Sequence, residues 1–560
     1  MAIVSKKITR SVRAQTPGTG KKKQSSLLPQ YNEKTPPCQN ACPSSEDIRG
    51  FLTTIAQADE FNNTPENATQ LAWEKLTEKN PIPAVMGRVC PHPCETMCNR
   101  GQKDESVNIN RVEMAIGDFG LENSLPLVKI TDESTGKNIA VIGSGPAGIS
   151  AAYQLAIRGH QVTVYDDKAE PGGMLRYGIP AYRLPREVLA AELQKIWDLG
   201  VTLKSNTRVG KDISLEDLKK NNDAVFMAIG AQTGRKLPID GSEAANVTTG
   251  AEFLLDHNLE KITSLSGKVL VIGGGDVAYD AARTSLRLGA SEVIMACRET
   301  KELMPATLDE IHHGEEEGVV LKDGYTPKGM TKTGDKVTSV QFLKVEVGEK
   351  NESGWHEFTE IAGSELSIDV DHVITAISQA PDFAGLEELK NEKGWTTANG
   401  QYGRISDDSN VWAGGDITRG LGLVTEAIGD GRISAEAIDA FVMGNEYKPV
   451  PMPKVVSYTS MKLEFYPEAP RNSTTDVAVS ERVKNFAKTV LGFDATTLLY
   501  EATRCMSCGG CFDCDTCWSY CGDSAINKLS KGQHYSFNLD KCIGCSKCAE
   551  ECPCEMIDMV

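Results

Sequence analysis

Residues 138–167 read NIAVIGSGPAGISAAYQLAIRGHQVTVYDD, and this stretch decides the fold of the chain. The apolar run Ile139–Ile142 is typical of a buried parallel strand, and a helical pattern follows the turn after it. The turn has G-x-G-x-x-G spacing, formed by Gly143, Gly145 and Gly148. In such a turn the first glycine permits the tight bend, the second lets the backbone approach a pyrophosphate, and the third lets the helix pack closely on the strand. The stretch therefore predicts a dinucleotide-binding fold, with the phosphates at the helix N-terminus.

The strand after this helix ends in an acid. Gln161–Tyr165 reads as the strand, and Asp166 follows it 23 residues after Gly143. A dinucleotide fold places a ribose hydroxyl ligand about 20 residues after the first glycine, so Asp166 is in register for that role. Three further apolar runs that end in small residues predict more strands of this kind. They are AVFMAIGAQ (224–232), HVITAISQAPD (372–382) and NVWAGGDITRG (410–420).

A second glycine-rich turn predicts a second nucleotide-binding fold. Residues 267–299 contain the predicted strand Val269–Ile272, a G-x-G-x-x-A turn, a helix and the predicted strand Glu292–Ala296. The turn and the helix start consist of Gly273, Gly275, Asp276, Val277 and Ala278. Arg298 follows the second strand, where a basic group can meet the 2′-phosphate of NADP. Its neighbour Glu299 opposes that interpretation, because a carboxylate repels a phosphate.

The composition limits the class of protein. The chain has 560 residues, which suggests about three to five domains. Its net charge of −18 argues against a nucleic-acid binder. It has no apolar run of about 20 residues and its N-terminus lacks the apolar core of a secretory signal, so we expect no membrane span and a cytoplasmic location. Seven basic residues precede the first acid, Glu33, which predicts a disordered basic tail over residues 1–35; the alternative is an arm that docks on an acidic partner.

The cysteines are numerous and clustered. Five of the 17 lie between Cys38 and Cys98, eleven lie between Cys505 and Cys554, and Cys297 stands alone. Disulfide scaffolds are usually small and secreted, whereas tight C-x-x-C runs in a long chain without a signal sequence indicate metal.

The C-terminal cysteines form a doubled motif. Two runs have the spacing C-x2-C-x2-C-x3-C: Cys511, Cys514, Cys517 and Cys521, and then Cys542, Cys545, Cys548 and Cys552. This is the pattern of a two-cluster bacterial ferredoxin, in which the fourth cysteine of each run binds the other cluster. Cys552 is therefore predicted to complete the first cluster and Cys521 the second. Zinc is the less favoured alternative, and Gly522 stands where proline is usual.

Several stretches together resemble one family. They are GRVCPHPCETMC, GSGPAGISAA, GGMLRYGIPAYRLP, GGGDVAYDAARTSLRLGA, ELMPA and VWAGGDITRG. From Cys38 to about Ala440 the chain resembles the small, NADPH-oxidising subunit of bacterial glutamate synthase and its relatives. These include the large subunit of the electron-bifurcating transhydrogenase and the N-terminal half of dihydropyrimidine dehydrogenase. The C-terminal EATRCMSCGGC resembles longer members, such as the iron–sulfur flavoprotein partner of dissimilatory sulfite reductase.

The resemblance implies FAD in the first fold, NAD(P)H in the second and [4Fe-4S] clusters at both ends. The implied FAD residues are Gly143, Gly145, Pro146, Ala147, Gly148, Asp166, Gly173, Leu175, Arg176, Gly178, Gly415 and Asp416. Among them, Leu175, Arg176 and Gly178 are expected near the isoalloxazine and Asp416 on the ribityl chain. The implied NAD(P) residues are Gly273, Gly275, Asp276, Val277, Ala278, Arg298 and Lys301.

The chain departs from this family at two places. The family usually carries two consecutive arginines and a third basic residue where this chain has Arg298, Glu299 and Lys301, so we expect weak nucleotide discrimination that leans to NADH. The family also carries a C-x-x-C just before the position of Cys38, and here it is absent.

The N-terminal cluster ligands follow from the same resemblance. One family cluster implies Cys42, Cys90 and Cys94 with Glu113 as the fourth ligand; the alternative for Glu113 is a solvated helix carboxylate. The other cluster would keep only Cys38 and Cys98. A C-x-x-C with similar flanks, Cys505–Cys508, lies near the other end of the chain. We therefore predict that this pair joins Cys38 and Cys98, within one chain or between two chains of a dimer. The alternative is that Cys38 and Cys98 are idle thiols and that Cys505 and Cys508 merely flank the ferredoxin domain.

The predicted fold is α/β, with two Rossmann-like dinucleotide-binding domains, an N-terminal α-helical Fe-S domain and a C-terminal ferredoxin-like α+β domain. The predicted segments after the tail are an Fe-S domain at 36–130, an FAD domain at 137–240 and 373–445, an NAD(P) domain at 241–372, a linker at 446–500 and a ferredoxin domain at 501–560.

The predicted activity is NAD(P)H:acceptor oxidoreduction. Hydride passes from NAD(P)H to FAD, and single electrons then pass through three or four [4Fe-4S] clusters to a partner redox protein or a ferredoxin, or in the reverse direction. An electron-input subunit of a larger system is favoured over a stand-alone NAD(P)H:ferredoxin oxidoreductase or a non-catalytic electron-transfer scaffold. No catalytic side chain is assigned. The acceptor, the direction of flow and the choice between homodimer and hetero-oligomer stay open at this point.

Overall fold

The computed structural model describes residues 23–560 apart from 352–353, 355, 399, 408 and 474–475. The chain forms two compact units. The first unit contains the described residues of segments 1–128, 446–474 and 492–560, so it includes both ends of the described chain. The second unit contains those of segments 129–445 and 475–491.

The second unit is built on two five-stranded parallel sheets. The order in the first sheet is Val411–Ala413, Ala224–Met227, Asn138–Ile142, Gln161–Tyr165, Thr202–Lys204. The order in the second sheet is Val320–Lys322, Glu292–Ala296, Lys268–Ile272, His372–Thr375, Val247–Thr249. The strand that precedes each glycine-rich turn lies in the middle of its sheet and is buried from its second residue onward. The prediction of two Rossmann-like folds is confirmed.

Helices cover these sheets, and a smaller antiparallel sheet is inserted into the second fold. The helices are Pro146–Ala156, Met174–Tyr177, Arg186–Trp197, Leu215–Asn221, Gly250–Asn258, Asp276–Arg287, Leu308–Glu317, Asp416–Arg419, Val424–Val442 and Val479–Arg482. The inserted strands are Tyr325–Thr333, Lys336–Lys350, His356–Glu360 and Leu366–Asp369. A short antiparallel pair, Thr233–Gly234 and Gln379–Ala380, completes the sheets of this unit. The sequence interpretation did not anticipate the inserted sheet.

The predicted boundary between the nucleotide domains at residues 372 and 373 is wrong. His372–Thr375 pairs with Lys268–Ile272 on one side and with Val247–Thr249 on the other, so the whole strand belongs to the second fold. A four-residue apolar strand carries no mark of which of two similar parallel sheets it joins, because both sheets bury it on both faces.

The first unit is helical at its N-terminal end and mixed at its C-terminal end, as predicted. Its N-terminal helices are Pro37–Ala41, Ile48–Ala56, Pro65–Thr77, Pro83–Val89, Pro93–Thr96 and Ile109–Glu122. The C-terminal helices are Ala495–Thr503, Thr516–Tyr520 and Lys547–Glu550. Two antiparallel strand pairs complete the unit: Ile526–Lys528 with Tyr535–Phe537, and Pro29–Tyr31 with Ile557–Met559.

The disordered tail predicted over residues 1–35 extends too far. Pro29–Tyr31 forms a strand against the C-terminal strand, and Lys34 is buried, with its ammonium 2.7 Å from a carboxylate oxygen of Asp558. A short proline-bounded strand has no local pattern, because its pairing partner lies more than 500 residues away in the sequence. Residues 1–22 lie outside the described residues.

The predicted linker at 446–500 is also corrected. Its first and last parts belong to the first unit, and residues 475–491 belong to the second. Arg482 in this segment is buried, and its guanidinium lies 3.0 Å from the Glu317 carboxylate of the second fold. The helix Ala495–Thr503 begins before the predicted domain boundary at residue 501. In the part of the chain that the structure describes, no helix is long and apolar enough to cross a membrane.

Candidate cofactor sites

The first glycine-rich turn has a backbone that only glycine allows at two of its three positions. Gly143 has φ +97°, and a Cβ there would lie 2.4 Å from the carbonyl oxygen of Ala228. A Cβ on Gly148 would lie 1.9 Å from the carbonyl oxygen of Gly143. Gly145 is different, because the nearest atom to its Cβ position is 4.0 Å away. The space beside Gly145 is therefore open to a ligand, and Pro146 and Ala147 begin the helix whose N–H groups face it.

Asp166 lies against this turn. Its carboxylate accepts hydrogen bonds from the Ser144 backbone N–H at 2.8 Å and the Ser144 hydroxyl at 2.5 Å, and from the Lys168 N–H at 2.9 Å. The Gly172 N–H donates to the Ser144 hydroxyl, and a Cβ on Gly173 would lie 2.8 Å from the Gly145 Cα. The double glycine of the GGM segment thus packs on the turn, beside the predicted ribose ligand.

The remaining predicted FAD residues lie in two short helices. Leu175 and Arg176 belong to Met174–Tyr177, Gly178 ends that helix, and the Arg176 guanidinium donates to the carbonyl oxygen of Pro171 at 2.7 Å. Asp416 begins Asp416–Arg419. A Cβ on the preceding Gly415 would lie 3.0 Å from the Ala147 Cβ, so this segment adjoins the glycine-rich turn.

Asp416 is a half-buried carboxyl next to that turn. Burial raises its pKa to about 6, and the nearby Glu426 and Asp430 carboxylates act in the same direction, while the Gly422 N–H opposes them. A carboxylate in this environment is stabilised when it accepts a hydrogen bond from a hydroxyl group, such as one of the ribityl chain.

We expect Asp416→Ala to weaken FAD retention and to leave the iron content unchanged. A hydrogen bond to a charged group contributes about 1.5–3 kcal/mol, which is roughly 10- to 150-fold in affinity. Asp416→Asn is the matched control, since it keeps an acceptor oxygen and should retain more flavin. Flavin and iron per chain are measured after gel filtration. Flavin occupancy in the alanine variant equal to that of the wild type would contradict the assignment.

The second glycine-rich turn repeats the geometry of the first. Gly273 has φ +145°, and a Cβ there would lie 2.3 Å from the Ala376 carbonyl oxygen. The nearest atom to the Cβ position of Gly275 is 3.9 Å away, so the backbone is again open beside the helix Asp276–Arg287. Ala278 is buried at the third position. Asp276 accepts a hydrogen bond from the Thr307 N–H at 2.9 Å, and Val277 is half-buried in the first turn of the helix.

The two basic residues near this turn are both paired with acids. The Arg298 guanidinium lies 3.2 Å from the Glu299 carboxylate and 4.6 Å from the centroid of the Phe358 ring. The Lys301 ammonium lies 2.6 Å from the Glu315 carboxylate. Glu299 itself faces the turn, because a Cβ on Gly274 would lie 3.5 Å from one of its carboxylate oxygens. A negative charge therefore lies beside the glycine backbone.

The helical domain brings Cys42, Cys90, Cys94 and Glu113 together. Cys90 interacts electrostatically with Cys42 and Glu113, and Cys94 interacts with Cys42 and Cys90. The helices Pro83–Val89 and Ile109–Glu122 cross in backbone contact, since a Cβ on Gly117 would lie 2.2 Å from the Ala84 nitrogen.

The carboxyl of Glu113 is buried in this group rather than solvated. It accepts a hydrogen bond from the Asn80 side chain at 2.7 Å. Burial, with a contribution from the Glu46 carboxylate, raises the pKa of Glu113. Sequence reasoning missed Glu46, which is buried and interacts with Cys42 as well. The only sequence signal was its position four residues after Cys42.

A second group of four cysteines lines one cavity of the first unit. They are Cys38, Cys98, Cys505 and Cys508. Cys38 interacts electrostatically with the other three. Burial raises the pKa of Cys505 to about 11.

The eight cysteines of the doubled C-terminal motif fall into two groups. Cys552 interacts with Cys511, Cys514 and Cys517. Cys548 interacts with Cys542, Cys545 and Cys521. The exchange of the fourth cysteine between the groups is the arrangement that the doubled motif predicts. Cys554 was left unassigned by the sequence, and its sulfur lies 3.8 Å from that of Cys552. Cys297 is buried at a strand end, where its thiol faces the Glu299 carbonyl oxygen at 3.4 Å.

The donor sets fit iron–sulfur clusters. Backbone N–H groups face cysteine sulfurs at 3.3 Å from His92 to Cys90, 3.4 Å from Ser507 to Cys505 and 3.2 Å from Ala525 to Cys521. Hydrogen bonds to the sulfurs tune the potentials of such clusters. Thiolates are soft ligands, and groups of several thiolates are the donor sets that suit an iron–sulfur core.

Two open glycine-rich turns on parallel sheets, with several thiolate groups in the same chain, define a nucleotide-dependent redox protein. Comparison with known families and proteins agrees with this class. A family profile described as pyridine nucleotide-disulphide oxidoreductase matches residues 137–431. Residues 31–125 match dihydropyrimidine dehydrogenase domain II, 4Fe-4S cluster, and residues 535–558 match a 4Fe-4S binding domain.

Three curated relatives illustrate the range of the family. The β subunit of the NADP(+)-dependent formate dehydrogenase of Moorella thermoacetica is 32% identical over 507 residues, which cover 85% of this chain and 70% of the relative. The PreT subunit of the NAD-dependent dihydropyrimidine dehydrogenase of Escherichia coli O157:H7 is 35% identical, over 73% of this chain and 91% of the relative. The small chain of the NADPH glutamate synthase of Escherichia coli K12 is 33% identical, over 72% and 88%.

The chain belongs to the pyridine nucleotide-disulphide oxidoreductase family. It is an NAD(P)H-dependent oxidoreductase of the glutamate synthase-like group, with FAD and [4Fe-4S] clusters as its cofactors. The predicted resemblance to the glutamate synthase small subunit is confirmed.

Proposed function

We propose that this chain is the electron-input subunit of a larger redox system, oxidising NAD(P)H and delivering electrons singly to a partner redox protein. One observation carries the choice of acceptor. The ligand group of Cys521, Cys542, Cys545 and Cys548 is only half-buried. A cluster held there lies close enough to the surface for a protein partner to approach. The three relatives named above, two of which are called subunits and one a small chain, support the same proposal.

Separate groups of residues bind the nucleotides, the flavin and the clusters. The backbones beside Gly145 and Gly275 receive the pyrophosphates of FAD and NAD(P)H, and Asp166 and Asp416 hold the flavin's ribose and ribityl hydroxyls. FAD, when bound, supplies the conversion between hydride transfer and single-electron transfer. Cys42, Cys90, Cys94 and Glu113 hold one cluster and the C-terminal module holds two. The proposed location is cytoplasmic.

We expect NADH or NADPH to bleach the bound flavin under anaerobic conditions, and the broad iron–sulfur absorbance to fall afterwards. Stopped-flow absorbance of the purified chain measures both phases. Cys542→Ala with Cys545→Ala should keep the flavin phase and lose part of the iron–sulfur phase. Absence of bleaching with either nucleotide in flavin-loaded protein would favour the scaffold alternative.

A second measurement separates the input subunit from a stand-alone enzyme. A tagged chain purified anaerobically from its native host should retain a partner redox protein. Its turnover with that partner should exceed turnover of the chain alone with a purified two-cluster ferredoxin. Rapid ferredoxin reduction by a chain that purifies without partners would favour the stand-alone enzyme.

A further inference from the structure

We infer that Cys38, Cys98, Cys505 and Cys508 hold a fourth [4Fe-4S] cluster, which joins the two ends of one chain. The inference deepens the proposed function and rests on its iron–sulfur chemistry. The matched 4Fe-4S profiles span residues 31–125 and 535–558, so Cys505 and Cys508 lie outside both.

The cavity has the composition of a cluster site. Its wall carries the four cysteines together with Leu52, Val107, Ile109 and other side chains. Each of Cys505 and Cys508 interacts electrostatically with Cys98, from the opposite end of the sequence. Four thiols around one largely apolar cavity are the ligand set of a [4Fe-4S] cluster. Both pairs come from the same chain, so the alternative of a dimer-bridging cluster is not required.

Cations beside the cavity favour the negative charge of a thiolate-bound cluster. Cys505 interacts favourably with Arg49 and Arg100. The Arg49 guanidinium donates to the Cys508 carbonyl oxygen at 2.9 Å, and the Asn99 amide nitrogen lies 3.7 Å from the Cys508 sulfur. These contacts hold the positive charge and the N–H donors close to the proposed ligands.

The local backbone separates this pair from the ferredoxin cysteines. Cys505, Cys508, Cys511, Cys514 and Cys517 follow one another at the same spacing, so the sequence alone does not show where one cluster ends. Gly509 and Gly510 mark the division. Gly509 has φ +71°, and a Cβ there would lie 2.6 Å from the Lys34 carbonyl oxygen. A Cβ on Gly510 would lie 2.8 Å from the Arg49 side chain. Between Cys508 and Cys511, the chain therefore turns in close contact with Lys34 and Arg49 of the N-terminal segment.

The protein itself holds the two ends together around the cavity. The Arg100 guanidinium donates to the Arg504 carbonyl oxygen at 2.8 Å, and Arg504 donates to the Glu105 carbonyl oxygen at 2.6 Å. The Asn108 N–H donates to the Glu501 carboxylate at 2.7 Å. Arg504 and Glu501 are both buried. These contacts position one C-x-x-C pair against the other two cysteines.

The position of the cavity gives the cluster a relay role within the first unit. Cys508 is three residues from Cys511 of the ferredoxin motif. At the other end of the ligand set, Cys38 interacts with Cys94, which belongs to the group of Cys42, Cys90, Cys94 and Glu113. Tyr466 is buried beside Cys508, Cys514 and Cys552, and its hydroxyl donates to the Met506 carbonyl oxygen at 2.8 Å. Cys38, Cys98, Cys505 and Cys508 would hold a cluster that could relay single electrons between the two neighbouring ligand groups. No bond changes and no proton transfer is needed.

Iron analysis of anaerobically prepared protein tests the inference. We expect about 16 iron atoms per chain in the wild type, from four clusters of four. Cys505→Ala with Cys508→Ala should contain about 12, and so should Cys38→Ala with Cys98→Ala. The quadruple variant should also contain about 12, because all four residues belong to one cluster. Cys297→Ala is the control for loss of a buried cysteine, and it should keep the wild-type value.

Unchanged iron content in both double variants would overturn the inference. So would a quadruple variant that loses twice as much iron as either double variant. Flavin content per chain is measured in parallel, so a failure of NAD(P)H oxidation is distinguished from loss of this cluster. If the double variants do not fold, single Cys38→Ala and Cys508→Ala variants replace them. Each should show the EPR signal of a three-iron centre in the oxidised protein, and absence of that signal from both would equally overturn the inference.

Discussion

Gly145→Ala should weaken FAD binding and lower the flavin content per chain while leaving the fold of the chain intact. The nearest atom to the Cβ position of Gly145 is 4.0 Å away, and the backbone there has φ −72°, which alanine adopts without strain. The added methyl group meets nothing in the protein and occupies the approach to the pyrophosphate. Overpacking of this kind costs about 1–3 kcal/mol, which is roughly 5- to 150-fold in affinity. Flavin per chain and the circular dichroism spectrum measure the two effects.

Two other glycines serve as matched controls. Gly275→Ala makes the same change in the second turn, at φ −99° and with 3.9 Å to the nearest atom. It should keep FAD and require higher concentrations of NADH or NADPH for flavin reduction. Gly148→Ala should lose stability as well as FAD, because its Cβ would lie 1.9 Å from the Gly143 carbonyl oxygen. Wild-type flavin content in Gly145→Ala, or equal loss of flavin in Gly275→Ala, would contradict the assignment of the two turns.

The sequence predicted the parts of this protein that depend on local geometry. A tight turn with φ +97° at Gly143 demands glycine, and a cluster-binding loop demands cysteines at fixed spacing, so both left a local signature. No local signature marks three other features: the sheet that His372–Thr375 joins, the strand Pro29–Tyr31 and the burial of Glu46. Each depends on a contact with residues distant in the sequence, and many short segments satisfy such contacts equally well. Cys505 and Cys508 are an intermediate case. The family's C-x-x-C before Cys38 is missing, and an additional C-x-x-C lies near the C-terminus, so a count of the cysteines was enough to suggest that the second pair replaces the first.

Local sequence patterns also did not predict the charge around the second glycine-rich turn. Arg298 and Lys301 are basic in the sequence, yet in the structure each pairs with a carboxylate, Glu299 and Glu315 respectively. Counting basic residues therefore overestimates the positive potential that a 2′-phosphate would meet. A carboxylate beside the glycine backbone disfavours that phosphate and can accept hydrogen bonds from ribose hydroxyls.

We expect the wild-type chain to discriminate weakly between the two nucleotides and to lean to NADH, and Glu299→Arg to reverse that preference. Replacing one negative charge by a positive one next to the turn should change the ratio of kcat/KM values for NADPH and NADH by about 10- to 100-fold, or roughly 1.4–2.7 kcal/mol. Steady-state rates with each donor measure this ratio. Glu299→Gln removes the charge without reversing it and should give an intermediate value.

The control for this experiment is Glu302→Arg. It makes the same change of charge three residues further along the chain, on an exposed side chain. If the effect arises from the carboxylate beside Gly274, Glu302→Arg should change the ratio much less than Glu299→Arg. Equal effects would show that the general field of the segment sets the preference. A wild-type preference for NADPH of a hundredfold or more would show instead that the phosphate is bound despite Glu299. The basic residues would then have to exchange their present carboxylate partners for the nucleotide when it binds.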